Sequence, residues 1–142
     1  MKTVRDILTV KGNDVWSVDP EATVLDALRR MAEKEVGALV VMAGARVVGI
    51  ISERDYARKV ILHGRSSPTT LVKEIMTAPV VYARLDQSIE ECMALMTEKR
   101  TRHLPVMDEA KLVGLISIGD LVKSIIADQQ FIIEQLERYI SS

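Results

Sequence analysis

The stretch Gly49-Ile50-Ile51-Ser52-Glu53-Arg54-Asp55 recurs as Gly114-Leu115-Ile116-Ser117-Ile118-Gly119-Asp120, with Gly, Ile, Ser and Asp at matching places. The agreement runs well beyond seven residues. A shift of 65 positions also lays Leu39, Val41, Met42, Ala45 and Val48 over Leu104, Val106, Met107, Ala110 and Val113. Further upstream it lays Val24, Ala27, Leu28 and Met31 over Ile89, Cys92, Met93 and Met96. Self-similarity of this extent marks a duplicated supersecondary unit. A chain of 142 residues has room for two such units and little more.

Each copy reads as β-α-β-β-α. A short extended stretch (Val15–Val18, then Val80–Ala83) precedes a helix start at Thr23-x-x-Asp26 or Ser88-x-x-Glu91. Both look like capping boxes, in which the hydroxyl satisfies an orphan N–H of the first turn. The apolar residues that follow recur at i, i+3, i+4 and i+7, the period of a helix with one buried face. Two apolar strands come next, Ala38–Met42 with Val47–Ile51 and Leu104–Met107 with Leu112–Ile116, joined by hairpin-length connections. Strands this uniformly apolar suit sheets covered on both faces. A lone unit of about 60 residues would be marginal, so the two are expected to pack through their sheets with pseudo-twofold symmetry. The organisation expected is a first repeat over 4–62, a linker over 63–71, a second repeat over 72–127 and a C-terminal helix over 128–142. Val4–Leu8 and Val72–Met76 read as short helices leading into their repeats. The terminal helix carries Ile132, Leu136, Tyr139 and Ile140 on one face, which would either cover the core or serve self-association.

Composition narrows the function classes. With 48% hydrophobic and 27% charged residues the chain is globular, and a net charge of −1 lacks the basic excess of nucleic-acid modules. One cysteine, Cys92, permits no intrachain disulfide and suits a reducing compartment. The longest apolar run, Val36 to Ala45, is far short of a membrane span. The N-terminus is too polar for a secretory signal, and the chain reads as cytoplasmic. No catalytic constellation emerges. His63 and His103 have no cysteine or carboxylate at metal-ligand spacing, Cys92 sits on a helix face expected to be buried, and no phosphate-binding Gly-rich loop is present. The seven methionines are expected to fill the core.

The repeated heptapeptide admits two readings. Ser52 and Ser117 can cap the next helix while Asp55 and Asp120 support its first turn, and Gly49 and Gly114 can mark close backbone packing. Alternatively, a helix N-terminus offers outward N–H groups to an anion. The basic run Lys99-Arg100-Thr101-Arg102-His103 precedes the second-copy strand, where the first copy has Lys34-Glu35-Val36-Gly37-Ala38.

With Gly-x-x-Ser-x-x-Asp present twice, Arg102-His103-Leu104-Pro105-Val106, and Val4-x-Asp6-Ile7-Leu8 with Val72-x-Glu74-Ile75-Met76 ahead of the copies, the chain resembles a stand-alone pair of CBS domains, a Bateman module, from about Val4 to Ile126. The resemblance implies two clefts for adenosine-containing ligands: AMP foremost, with ADP, ATP, NAD(H) or S-adenosylmethionine as further candidates. It also implies that Asp55 and Asp120 accept hydrogen bonds from ribose hydroxyls, with Ser52 and Ser117 contacting ribose or phosphate. The first implied site comprises Ser52, Arg54, Asp55, Thr77, Val80, Val81, Thr101, Arg102 and His103. The second comprises Asn13, Val15, Trp16, Val36, Gly37, Ala38, Ser117, Gly119 and Asp120. The clefts are unequal, because Gly119 replaces Arg54 and the Arg-His pair is missing from the second. Trp16 reads as core more readily than as a ligand platform. The role expected is a non-enzymatic, homodimeric sensor acting on a regulated protein carried by another chain, without nucleic acid or membrane. The competing role is a constitutive interaction module whose Ser-x-x-Asp segments only cap helices.

Overall fold

Two three-stranded sheets, one from each copy, carry the fold. In the computed structural model, which describes residues 2–141, the chain runs α1 (Val4–Lys11), β1 (Ser17–Val18), α2 (Val24–Lys34), β2 (Ala38–Ala43), β3 (Arg46–Ser52), α3 (Glu53–Tyr56), a π-helical segment (Ala57–Ile61), α4 (Val72–Ile75), β4 (Ala83–Arg84), α5 (Ile89–Lys99), β5 (His103–Asp108), β6 (Lys111–Ser117) and α6 (Ile118–Ser141). The sheets have the same topology, β1-β2-β3 and β4-β5-β6, with the first pair parallel and the second antiparallel. Both hairpins shift register at equivalent positions, Val41/Met42 and Val106/Met107.

The duplication extends to the helix starts. Thr23 Oγ1 accepts from the Asp26 N–H at 3.1 Å, and Ser88 Oγ accepts from the Glu91 N–H at 3.0 Å. The hairpins close through the two-residue turns Gly44–Ala45 and Glu109–Ala110. Gly44 and Glu109 adopt φ of 64° and 57°, a left-handed turn that glycine enters without a Cβ penalty. The first and fourth strands are shorter than the sequence indicates. Regular pairing is confined to Ser17–Val18 and Ala83–Arg84, because a parallel edge strand keeps only the residues that find a partner on β2 or β5.

Two compact units form, one from Asp14 to Tyr82, the other from the residues up to Asn13 together with those from Ala83 onward. Each lead-in helix therefore joins the unit of the other copy: α4 packs on β3, and α1 on β6 and α6. Gly49 and Gly114 accommodate this. A Cβ at Gly49 would lie 2.6 Å from Sδ of Met76 and 3.1 Å from the Thr77 carbonyl oxygen, and one at Gly114 would lie 2.8 Å from both Leu8 methyls. In the 14–82 unit Val24, Ala27 and Met31 of α2 bury against Leu39, Val41 and Ile51, with Val60, Val72 and Ile75 completing the cluster. Burial of each large aliphatic side chain stabilises the fold by about 1.5–3 kcal/mol. In the other unit Val4, Ile7, Leu8, Ile89, Cys92, Met96, Leu104, Val106, Ile116 and Leu121 are buried.

The copies diverge after the heptapeptide. In the first, the helix ends at Ile61, ahead of His63-Gly64. In the second, α6 runs 24 residues without a break, so the terminal helix expected from position 128 continues the repeat's own last helix. Its apolar residues do not cover the core of the unit it belongs to: Ile132, Leu136, Tyr139 and Ile140 are 55–80% exposed.

Candidate functional site

Ser52 and Ser117 end their strands and cap the next helix, as one of the two sequence readings anticipates. Ser52 Oγ accepts from the Asp55 N–H at 3.2 Å while Asp55 Oδ2 accepts from the Ser52 N–H at 2.9 Å. The second copy repeats this, with Asp120 N–H to Ser117 Oγ at 3.2 Å and Ser117 N–H to Asp120 Oδ2 at 2.8 Å. The same device opens the other helices, since Asp6, Asp26, Glu74 and Glu91 each accept from the backbone N–H three residues earlier. The repeated Ser-x-x-Asp is thus a helix cap first. Its carboxylate is also held at a fixed place beside a helix N-terminus, where the dipole favours negative charge.

Around this shared core the two copies are dressed differently. Asp55 is buried, and its second oxygen, Oδ1, accepts from the Thr77 hydroxyl at 3.2 Å and lies 3.2 Å from Lys59 Nζ. Lys59 also donates to the Ile75 carbonyl at 2.9 Å. Thr77, exposed, extends from α4 along the β3 edge and exchanges backbone hydrogen bonds with Ile50 at 2.8 and 3.1 Å. Asp120 is more open, and both of its bonds fall on Oδ2, from Ser117 and from Lys11 Nζ at 2.6 Å. Lys11 reaches there from the end of α1 and donates as well to the Leu115 carbonyl at 2.6 Å. Leu115 corresponds to Ile50 under the 65-residue shift, so an ammonium fills in one unit the place that a backbone N–H fills in the other. Burial raises the Asp120 pKa, but the hydrogen bonds and charge of Lys11, with those of Ser117, outweigh it and hold the carboxyl below its ordinary value.

The remaining sequence-derived positions divide between the units. In the 14–82 unit, Arg54 is exposed on the first turn of α3, and Val80 and Val81 are half-buried in the extended segment ahead of β4. Ala38 pairs with Ser52 across the hairpin, the Gly37 carbonyl accepts from the Glu53 N–H at 3.0 Å, and the Val36 N–H donates to Met31. Val15 and Trp16 are half-buried beside β1, with Lys34 Nζ 4.3 Å and Arg30 5.8 Å from the indole centroid. One face of Trp16 therefore carries cations from α2, a cation–π arrangement. In the other unit, His103 pairs with Ser117, the Thr101 hydroxyl donates to the His103 carbonyl at 3.1 Å, and the Arg102 carbonyl accepts from the Ile118 N–H at 2.9 Å. Arg102 lies in a bend ahead of β5 and is exposed. Gly119 is exposed on α6, and Asn13 Nδ2 donates to the Val113 carbonyl at 2.9 Å. Each sequence-derived set thus draws on both units. Thr101, Arg102 and His103 share a sheet end with Ser117 and Asp120, as Val36, Gly37 and Ala38 do with Ser52 and Asp55.

The sequence reading missed Lys11 and Lys59, the cations that engage the two carboxylates. Lys59 had a legible signal, four residues after Asp55 on one helix. Cys92 is buried, and its thiol is pushed up to about 11, chiefly by burial and then by the Glu91 charge, as suits a packing residue rather than a nucleophile. Among the described residues no three His, Cys, Asp or Glu side chains cluster as metal ligands, and no helix is long and apolar enough to cross a membrane.

The family model described as CBS domain matches residues 3–62 and 72–127. The CBS domain-containing protein CBSX3, mitochondrial, of Arabidopsis thaliana is 36% identical over 148 residues, 97% of this chain and 71% of that protein. A solved protein with CBS domains from Burkholderia ambifaria MC40-6 is 57% identical, with a TM-score of 0.85 over 90% of this chain and 96% of its own. The CBS domain pair of protein MJ0100, solved with 5′-methylthioadenosine and S-adenosyl-L-methionine, shares the fold at a TM-score of 0.79 and 21% identity, over 90% of this chain and 98% of its own.

Proposed function

The chain belongs to the CBS-domain family, and we propose that it is a regulatory sensor without chemistry of its own, which binds an adenosine-containing metabolite and alters the activity of a protein on another chain. AMP is the first candidate, followed by ADP, ATP, NAD(H) and S-adenosylmethionine. The observation that carries this reading is the polar corner at the end of β6. There Asp120 is fixed at a helix N-terminus beside Lys11, with Ser117, Thr101 and Arg102 on the same sheet end. An ionised carboxylate accepts hydrogen bonds only, which suits a pair of ribose hydroxyls, and a lysine or arginine suits a phosphate. In the other unit Asp55, Ser52 and Thr77 offer the same chemistry. The binding of adenosine derivatives by the MJ0100 pair supports the choice of ligand class through the shared fold. Binding would regulate only so far as the ligand prefers one arrangement of the protein over another.

A second reading, a constitutive interaction module, is favoured by the same caps, because both carboxylates are already engaged within their own unit. Thermal denaturation against AMP, ADP, ATP, NAD, NADH and S-adenosylmethionine separates the two. Ligand at 100 times its Kd adds about 2.7 kcal/mol, several degrees in a domain of this size. A shift with one adenosine ligand that is lost in Asp55→Asn or Asp120→Asn supports the sensor. No shift with any of the six supports the constitutive module.

A further inference from the structure

Helix α6 outlasts its counterpart. The last helix of the first copy ends at Ile61, which the 65-residue shift places at Ile126, whereas α6 continues to Ser141. At 1.5 Å per residue α6 is about 36 Å long. Its apolar residues recur every 3.5 positions. With Val122 as a, the a sites are Val122, Gln129 and Leu136, the d sites Ile125, Ile132 and Tyr139, and every e site an isoleucine (126, 133, 140). Most of this stripe lies open: Ile126 is 57%, Ile132 56%, Ile133 48%, Leu136 55% and Ile140 79% exposed. A strict seven-residue repeat is the pattern of a helix packed against other helices with the same repeat, rather than of one laid on a sheet.

We infer that α6 packs against α6 of a second copy of this chain, burying the seam that runs from Val122 to Ile140. Three features favour this occupant. The seam is self-complementary, as a twofold interface requires. Its large side chains, half or more exposed, are on the scale of the ~800 Å² per partner of a standard stable interface. Its charge does not suit an anionic membrane, since α6 carries four carboxylates (Asp120, Asp128, Glu134, Glu137) against only Lys123 and Arg138. Gln129 is the one polar residue at the a and d sites, the position where a polar side chain fixes register at a cost in association strength.

The test is the solution mass of the full chain by sedimentation equilibrium, with Ile132→Lys/Leu136→Lys and Gln129→Leu beside it. The wild type is expected at a multiple of 15.8 kDa. The double lysine variant is expected to fall to a single chain while its far-UV spectrum and its melting at high dilution stay as in the dissociated wild type, because the replaced residues are exposed. Gln129→Leu is expected to lower the dissociation constant about tenfold. A wild type of single-chain mass, a lysine variant with unchanged mass, or a Gln129→Leu variant that associates no more tightly would each overturn the inference.

Discussion

The two copies of the heptapeptide do the same local work in different company. Asp55 and Asp120 complete the same capping box with nearly the same distances. Asp55 is then closed in by Thr77 and Lys59, whereas Asp120 meets Lys11 and stays more open. Fold-critical geometry has been kept in both copies, and the groups that would meet a ligand have diverged. Where the pattern agrees, packing or capping accounts for it: Gly for an approaching helix, Ile for the core, Ser and Asp for the helix start. Ligand preference therefore lies in the neighbours, Lys11 against Lys59 with Thr77, rather than in the shared motif.

The shared isoleucine gives the largest test of equivalence. Ile51 and Ile116 are 1% and 0% exposed at matching sheet positions. Truncation of either to alanine removes buried methyl groups and leaves a cavity, for about 2–5 kcal/mol. Chemical denaturation should return costs for Ile51→Ala and Ile116→Ala that agree within about 1 kcal/mol. A loss confined to one variant would show that only one copy depends on its core.

The glycines should separate the copies rather than unite them. Adding a methyl to a filled site costs about 1–3 kcal/mol. At Gly114 the new atom meets only the end of the Leu8 side chain, which can rotate. At Gly49 it meets Met76 and also the Thr77 carbonyl, a backbone group tied to Ile50. Gly49→Ala is expected to cost more than Gly114→Ala in the same urea titration, and the reverse order would place the tighter helix approach in the other unit.

Much of this was readable in advance where the signal was local. The 65-residue repeat, the Thr23 and Ser88 caps and both hairpins rest on spacing within a few residues, and the structure follows them. The neighbours of the carboxylates were less legible because they come from far along the chain. Lys11 and Asp120 are 109 positions apart, and α1 joins the unit of the other copy, which no periodicity announces. The terminal helix illustrates a different gap. Its amphipathic pattern was plain, but a pattern does not say what covers the apolar face, and within its own unit that face is open. Asp128 looked like a helix start, yet from Asp120 onward no glycine or proline interrupts the run, and the helix passes through it.

The smallest effect concerns the carboxylate that distinguishes the second copy. Burial alone would raise the Asp120 pKa, and Lys11 and Ser117 together bring it below the ordinary aspartate value of about 3.9. A group whose folded pKa is depressed adds stability that is fully present above its unfolded pKa and is lost as pH falls through the folded value. Asp120 should therefore contribute at neutral pH and down to about pH 5, and lose that contribution only in stronger acid. Lys11→Met removes the ammonium and leaves burial opposed by Ser117 alone, so the carboxyl should titrate at higher pH and acid unfolding should begin earlier. A carbon-13 titration of the Asp120 carboxyl in wild type and Lys11→Met reads this directly. An unmoved midpoint would mean that Lys11 does not govern the charge at this corner, and the difference between the two copies would then reduce to Thr77 and Lys59 around Asp55.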